Sequence, residues 1–212
     1  MKKTNKKINK KAFSKAEFMI MLAAIAILIA VGSKLVLDNT KNYSSFKTVA
    51  NNFANAVAKY KDVAIIPKEE YTLFETEKAG YIDELKNPFD KTQVCDKYES
   101  YVSVKDNSRK GIVLLCGDYL VEAVQSESYK VYEVSDWSDT QDAEHNDGNM
   151  LYNFKKDGKE ILSEYVTSKA FLLMFEEETG KKINAVNDAK SYGYEVVSKV
   201  AYREKKLLKE IK

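Results

Sequence analysis

The sequence predicts an α+β protein: a long N-terminal helix, transmembrane and then amphipathic, packed on an antiparallel sheet, with a further α/β extension at the C-terminus. Three observations carry that prediction. No proline interrupts residues 13–66, and Gly32 is the only glycine among them, so a helix can run on unbroken. Past Lys34, Tyr43, Phe46, Ala50, Phe53, Val57 and Tyr60 recur at steps of three and four, the spacing of one buried helix face. From residue 98 onward, segments rich in β-branched and aromatic residues alternate with turn residues. The chain divides accordingly into a basic leader (residues 1–12), a long helix (13–61), a head (62–134), an acidic loop (135–149) and a C-terminal extension or subdomain (150–212).

The leader, MKKTNKKINKKA, holds six lysines and no acid, leaving 28 basic against 32 acidic residues in the remainder. The positive charge of the chain therefore belongs to the leader, and the mildly acidic body argues against a general electrostatic grip on nucleic acid. Residues 18–33 carry no charge for sixteen positions. A spanning helix needs about 20. Counting from Phe13 supplies that length but takes in Lys15 and Glu17. The lysines orient such a segment with the N-terminus cytoplasmic and everything beyond Lys34 exported. Three fates fit: an uncleaved anchor, a secretory signal with Ala30-Val31-Gly32 as a small-x-small site ahead of Ser33, or a cut on the cytoplasmic side between the lysines and the apolar run.

Glu17 discriminates among these fates. A carboxylate held at the centre of a bilayer costs about 2.5–3.5 kcal/mol, and less near the interface. One reading leaves Glu17 at the interface. The other gives it a partner: a cut before Phe13 creates an α-amine one helical turn away, with a pKa of about 8 and hence a positive charge at neutral pH. Subunits packed side by side would then pair amine with carboxylate.

Ala12-Phe13-Ser14-Lys15-Ala16-Glu17-Phe18, after lysines and before an apolar run, resembles the processing site of type IV prepilins and type II secretion pseudopilins. The resemblance covers about the first fifty residues. It implies cleavage by prepilin peptidase between Ala12 and Phe13, N-methylation of Phe13, and a role for Glu17 in subunit assembly. Ala12 stands where the family usually has glycine, Ser14-Lys15-Ala16-Glu17 replaces the usual Thr-Leu-Ile-Glu, and the family's helix-kinking proline is missing. A helix over 13–61 would be about 70 Å long, the shape of a pilin stem, although a coiled-coil or signal-anchor stalk shares the same stripe.

Beyond the stem, Ile66-Pro67 closes the helix, residues 68–85 have room for a short helix, and Asn87-Pro88 marks a turn. Strands are predicted over 98–105, 111–124 and 129–134, three antiparallel strands packed on the striped helix. Cys95 and Cys116, the only cysteines, flank the first hairpin and in an exported domain are expected to form a disulfide. Residues 135–149, SDWSDTQDAEHNDGN, read as an exposed loop. Asp139, Asp142, Glu144, His145 and Asp147 offer calcium ligands, as the acidic loop of some pseudopilins does, but not at EF-hand spacing. Residues 150–166 suggest another hairpin around Lys156-Asp157-Gly158, and residues 168–178 a helix capped by Ser168 and stopped at Gly180. The tail from Tyr192 fits helix and strand alike.

The leading expectation is structural: a subunit, a minor one by the size of its head, of a type IV pilus, a type II secretion pseudopilus or a competence-type fibre. The resemblance implies as partners prepilin peptidase, other pilin-like subunits, a membrane assembly platform, and lipid through residues 13–33, with the head outside the cytoplasmic membrane. The alternative is a signal-anchored or secreted extracytoplasmic binding protein. An enzyme is not expected, since no nucleophile elbow, phosphate loop or metal-spaced histidine cluster occurs, and no cofactor or metal is implied.

Overall fold

The stripe of residues 43–60 becomes the buried face of the first helix in the computed structural model, which describes residues 42–65, 67–105, 108–124, 128–139 and 150–212. Helix α1 (Ser44–Val63) buries Phe46, Ala50, Phe53, Ala54, Ala56 and Val57, while Asn52, Asn55 and Lys59 face out. Tyr43, just before it, has helical backbone angles, with φ −60° and ψ −16°. The helix ends at Val63, where Ala64 turns extended ahead of Pro67.

Next come β1 (Glu70–Thr72) and α2 (Leu73–Lys78). Thr72-Leu-Phe-Glu75 forms a capping box: Thr72 Oγ1 accepts from the Glu75 backbone N–H, and Glu75 Oε2 accepts from that of Thr72, both at 3.2 Å. Four strands follow as a meander: β2 (Tyr101–Lys105), β3 (Ser108–Cys116), β4 (Tyr119–Val124) and β5 (Ser128–Val134). The single strand expected over 111–124 is therefore corrected to two. Gly117-Asp118 is a two-residue hairpin loop with Gly117 at φ +58°, where a Cβ would come within 2.1 Å of Gln93 Oε1.

The second half adds β6 (Ser138–Asp139), β7 (Met150–Lys156), β8 (Lys159–Glu160), β9 (Val166–Thr167), α3 (Ser168–Thr179), a 3-10 helix (Val186–Tyr192), β10 (Glu195–Tyr202) and β11 (Lys205–Ile211). Asp157 and Gly158, at φ +53° and +76°, make the β7–β8 turn where the sequence placed it. Its return arm is only partly a strand. After two paired residues it leaves β7, and buried Asn153 reaches out to hold it, Nδ2 donating to the carbonyls of Leu162 (2.7 Å) and Glu164 (3.4 Å). The arm pairs with β7 again at β9. The cap of α3 is Thr167 rather than Ser168, and the helix stops at Gly180.

Among the described residues the strands form two antiparallel sheets, ordered β1-β2-β3-β4-β5-β11 and β6-β10-β7-β8, with β9 beside β7. The fold is thus mixed helix and antiparallel sheet, α+β. The tail that fitted helix and strand alike is strand: β10 pairs with β7, and β11 crosses back to β5 through a bulge near Leu208. Each sheet has its own apolar core. The first joins α1 to Tyr71, Val102, Ile112, Leu114, Val121 and Val131. The second gathers Phe154, Leu162, Phe171, Phe175, Ile183 and Ala189. No helix among the described residues is long and apolar enough to cross a membrane, and the candidate span, residues 13–33, lies outside them.

Phe53 is fully buried between α1 and the sheet, so Phe53→Ala is expected to cost about 3–5 kcal/mol. Asn55→Ala, on the exposed side of the same helix, should stay within about 0.5 kcal/mol of wild type. Chemical denaturation of the two variants checks the pair.

Candidate functional site

Of the residues singled out from sequence, Cys95 and Cys116 come together as a disulfide. The bridge fastens the 85–98 segment to the end of β3, where Cys95 N–H donates to Leu85 O (2.8 Å) and Asp96 N–H to Leu115 O (2.7 Å). Asn87, buried and ahead of Pro88, organises the same corner: its Nδ2 donates to Cys116 O (3.2 Å) and Gln93 Oε1 (2.8 Å), and its Oδ1 accepts from Phe89 N–H. Phe89 then meets Tyr43, Phe46 and Tyr119 edge-on, with ring centroids 5.0–5.3 Å apart, which ties the disulfide corner to the start of α1. Ala12, Phe13 and Glu17 lie outside the described residues, as do Asp142, Glu144, His145 and Asp147 of the acidic loop.

Beside the bridge a cleft of about 720 Å³ opens between the first sheet and the second half of the chain. Val94, Cys95 and Leu115 line one wall, and Ile161, Leu162, Val166 and Met174 the other. Glu77, Glu84 and Glu164 supply carboxylates at its surface. The Glu77 carboxyl is pushed up from its ordinary value, chiefly by burial, with Glu84 and Glu177 adding like charge.

Arg203 also lines the cleft, its guanidinium 4.5 Å from the Trp137 ring, a cation–π distance. Burial pushes its pKa down, opposed by the charges of Glu99, Asp96 and Asp136. Its Nε is buried without a hydrogen-bond partner among the described residues. Glu99 is the carboxylate counterpart: burial pushes its pKa up, offset in part by the hydroxyl of Thr167, which donates to Oε1, and by the Arg203 charge. Thr167 has two duties there, since its Oγ1 also accepts from Ala170 N–H as the cap of α3.

Alongside, Tyr98 O–H donates to Glu177 Oε2 on α3, and Lys97 Nζ sits 2.8 Å from Glu177 Oε1. Burial and the Glu177 hydrogen bond push the Tyr98 phenol up to about 12, so it keeps its proton. Lys97, Tyr98 and Glu177 are thus answered by one another. Sequence reading missed Glu99, Thr167 and Arg203 because each is separated in the chain by dozens of residues and none belongs to a local motif.

Two outcomes test this geometry. Opening the Cys95–Cys116 bridge, which spans 21 residues, with the double variant Cys95→Ser/Cys116→Ser should lower unfolding stability by about 3 kcal/mol, read from denaturant midpoints. For Glu99, burial raises the folded-state pKa above the ordinary 4.5, so the folded protein holds that proton more tightly than the unfolded chain, and stability falls as pH rises through the raised value. Glu99→Gln keeps an acceptor for Thr167 without the charge. Its melting temperature should exceed that of wild type near neutral pH, and the difference should close as the solution is acidified below 4.5.

No family model matches the chain, and no curated protein and no solved structure is significantly similar to it.

Proposed function

We propose that this chain is a structural subunit of a type IV pilus, a type II secretion pseudopilus or a competence-type fibre. The observation that carries the reading is the continuity of three features: a lysine leader ending at Ala12-Phe13, Glu17 at the mouth of an apolar run, and α1, whose striped face lies on an antiparallel sheet. The α1-and-sheet half is then a pilin-like head, with the disulfide fastening the end of β3. On this reading chemistry is done to the chain: prepilin peptidase cuts after Ala12 and methylates Phe13, residues 13–33 hold lipid, and Glu17 meets the α-amine of a neighbouring pilin-like subunit on the assembly platform. The additional β6–β10 half makes the head bulky for a regularly repeated subunit, which favours a minor one.

The experiment is to sequence the N-terminus of the protein from the membrane fraction. Methylated Phe13 is expected. A start at Ser33 would make it a secreted binding protein, and an intact Met1 an uncleaved anchor. With Glu17→Ala, processing should persist while recovery in sheared fibres drops at least about tenfold, as expected where a buried charge loses its partner. Undiminished recovery removes Glu17 from assembly.

A further inference from the structure

The β6–β10 half of the chain is an insertion in a hairpin. Strands β5 and β11 are antiparallel neighbours whose register ends at Val134↔Lys205. At the next step Ser135 N–H donates to Glu204 O (3.1 Å), and Glu204 N–H donates to Ser135 Oγ (3.0 Å). Everything between, including β6, β7, β10 and α3, leaves and re-enters the first sheet at that one root. The inserted lobe has a core that shares no residue with the first. Leu151 and Ala201, near the root, are buried and belong to neither core.

Away from the root, the polar contacts to the first lobe include the bond from Thr167, the cap of α3, to Glu99 Oε1, and several from α3 itself. On one face of α3, Lys169 Nζ lies 2.8 Å from Glu70 Oε2 and over the Tyr101 ring, Glu176 pairs with Lys78 at 3.3 Å, and Glu177 pairs with Lys97 and Tyr98. Its other face, Ala170, Phe171 and Phe175, is buried, the two phenylalanines in the second core. The ion pairs are between half-exposed side chains, the class that salt screens most readily. The apolar-walled cleft lies beside this seam, with Met174 of α3 in its lining.

We propose that α3 is an ionic clasp: Lys169, Glu176 and Glu177 hold the cleft narrow, and screening their charges lets the inserted lobe swing about the Ser135–Glu204 root and widen it, with both cores intact. Screening separates the two kinds of contact, because the buried cores depend little on ionic strength and the exposed pairs depend on it strongly. The inference is independent of fibre assembly.

The test places nitroxide labels at Glu84→Cys and Ser163→Cys, on opposite walls of the cleft, in the full chain with the native disulfide closed. Pulsed electron resonance is expected to give a narrow distance distribution in about 0.05 M NaCl and a longer, broader one in about 1 M, where the Debye length falls to about 3 Å. Adding Glu176→Gln and Glu177→Gln should give the longer distribution already at low salt, with amide exchange in α1 as slow as before. An unchanged narrow distribution in high salt and in the glutamine variant overturns the clasp. So does a lengthening accompanied by loss of protection in α1, because that is unfolding rather than a swing.

Discussion

The pairing of β11 with β5 is the constraint on which the rest depends. It brings the last strand of the chain home to the first sheet and so turns everything from β6 to β10 into an insertion with both ends at one place. Without it the second lobe would hang on a single connection. With it, Ile211 packs against the first core, and Lys205 and Lys206 meet Glu122 and Glu133 across the sheet. Those exposed pairs add little stability one by one. Their effect is on register, since like charges opposite these positions would be unfavourable.

Stability has a different source. Phe46, Phe53 and Val57 are each removed from water by the sheet, and a side chain of that size contributes about 1.5–3 kcal/mol on burial. The disulfide corner extends the same core sideways through Phe89, so the loop that carries Cys95 is held by ring packing and by Asn87 as well as by the covalent bond. Asn87 is buried with its amide and carbonyl both engaged, the condition under which a buried polar group avoids its desolvation cost.

What was legible in the sequence follows from how local each signal is. The α1 stripe, the Asp157-Gly158 turn, the Gly180 stop and the disulfide are set by residues near one another in the chain, and all appear as read. Gly117-Asp118 and the capping box Thr72-Leu-Phe-Glu75 were equally local and could have been found: the first splits a strand, and the second starts α2. The tail was different. Lys205-Lys-Leu-Leu-Lys-Glu-Ile211 has the composition of a helix, and only the vacant edge of β5 makes it a strand, a tertiary choice that overrides propensity. Asn153 likewise replaces ladder bonds with a side chain, which no periodicity reports. Of the cleft, Cys95 alone was legible, because Glu99, Thr167 and Arg203 meet only after the insertion has folded back.

That meeting has a consequence for how the lobes are set. Glu99 and Arg203 are both partly buried, and each favours the charged form of the other, yet burial moves both toward their neutral forms. Such a pair adds little net stability, because desolvation offsets most of its attraction. Its geometric effect is larger. The Thr167 hydroxyl donates to Glu99 Oε1, and the same oxygen accepts from Ala170 N–H as the cap of α3. The direction of α3 is therefore tied to a carboxylate of the other lobe at the N-terminus of the helix, while Glu176 and Glu177 fix its far end through exposed pairs that cost little to break. The helix is thus joined to the first lobe at both ends of its length, by its capping hydroxyl at one and by exposed ion pairs at the other.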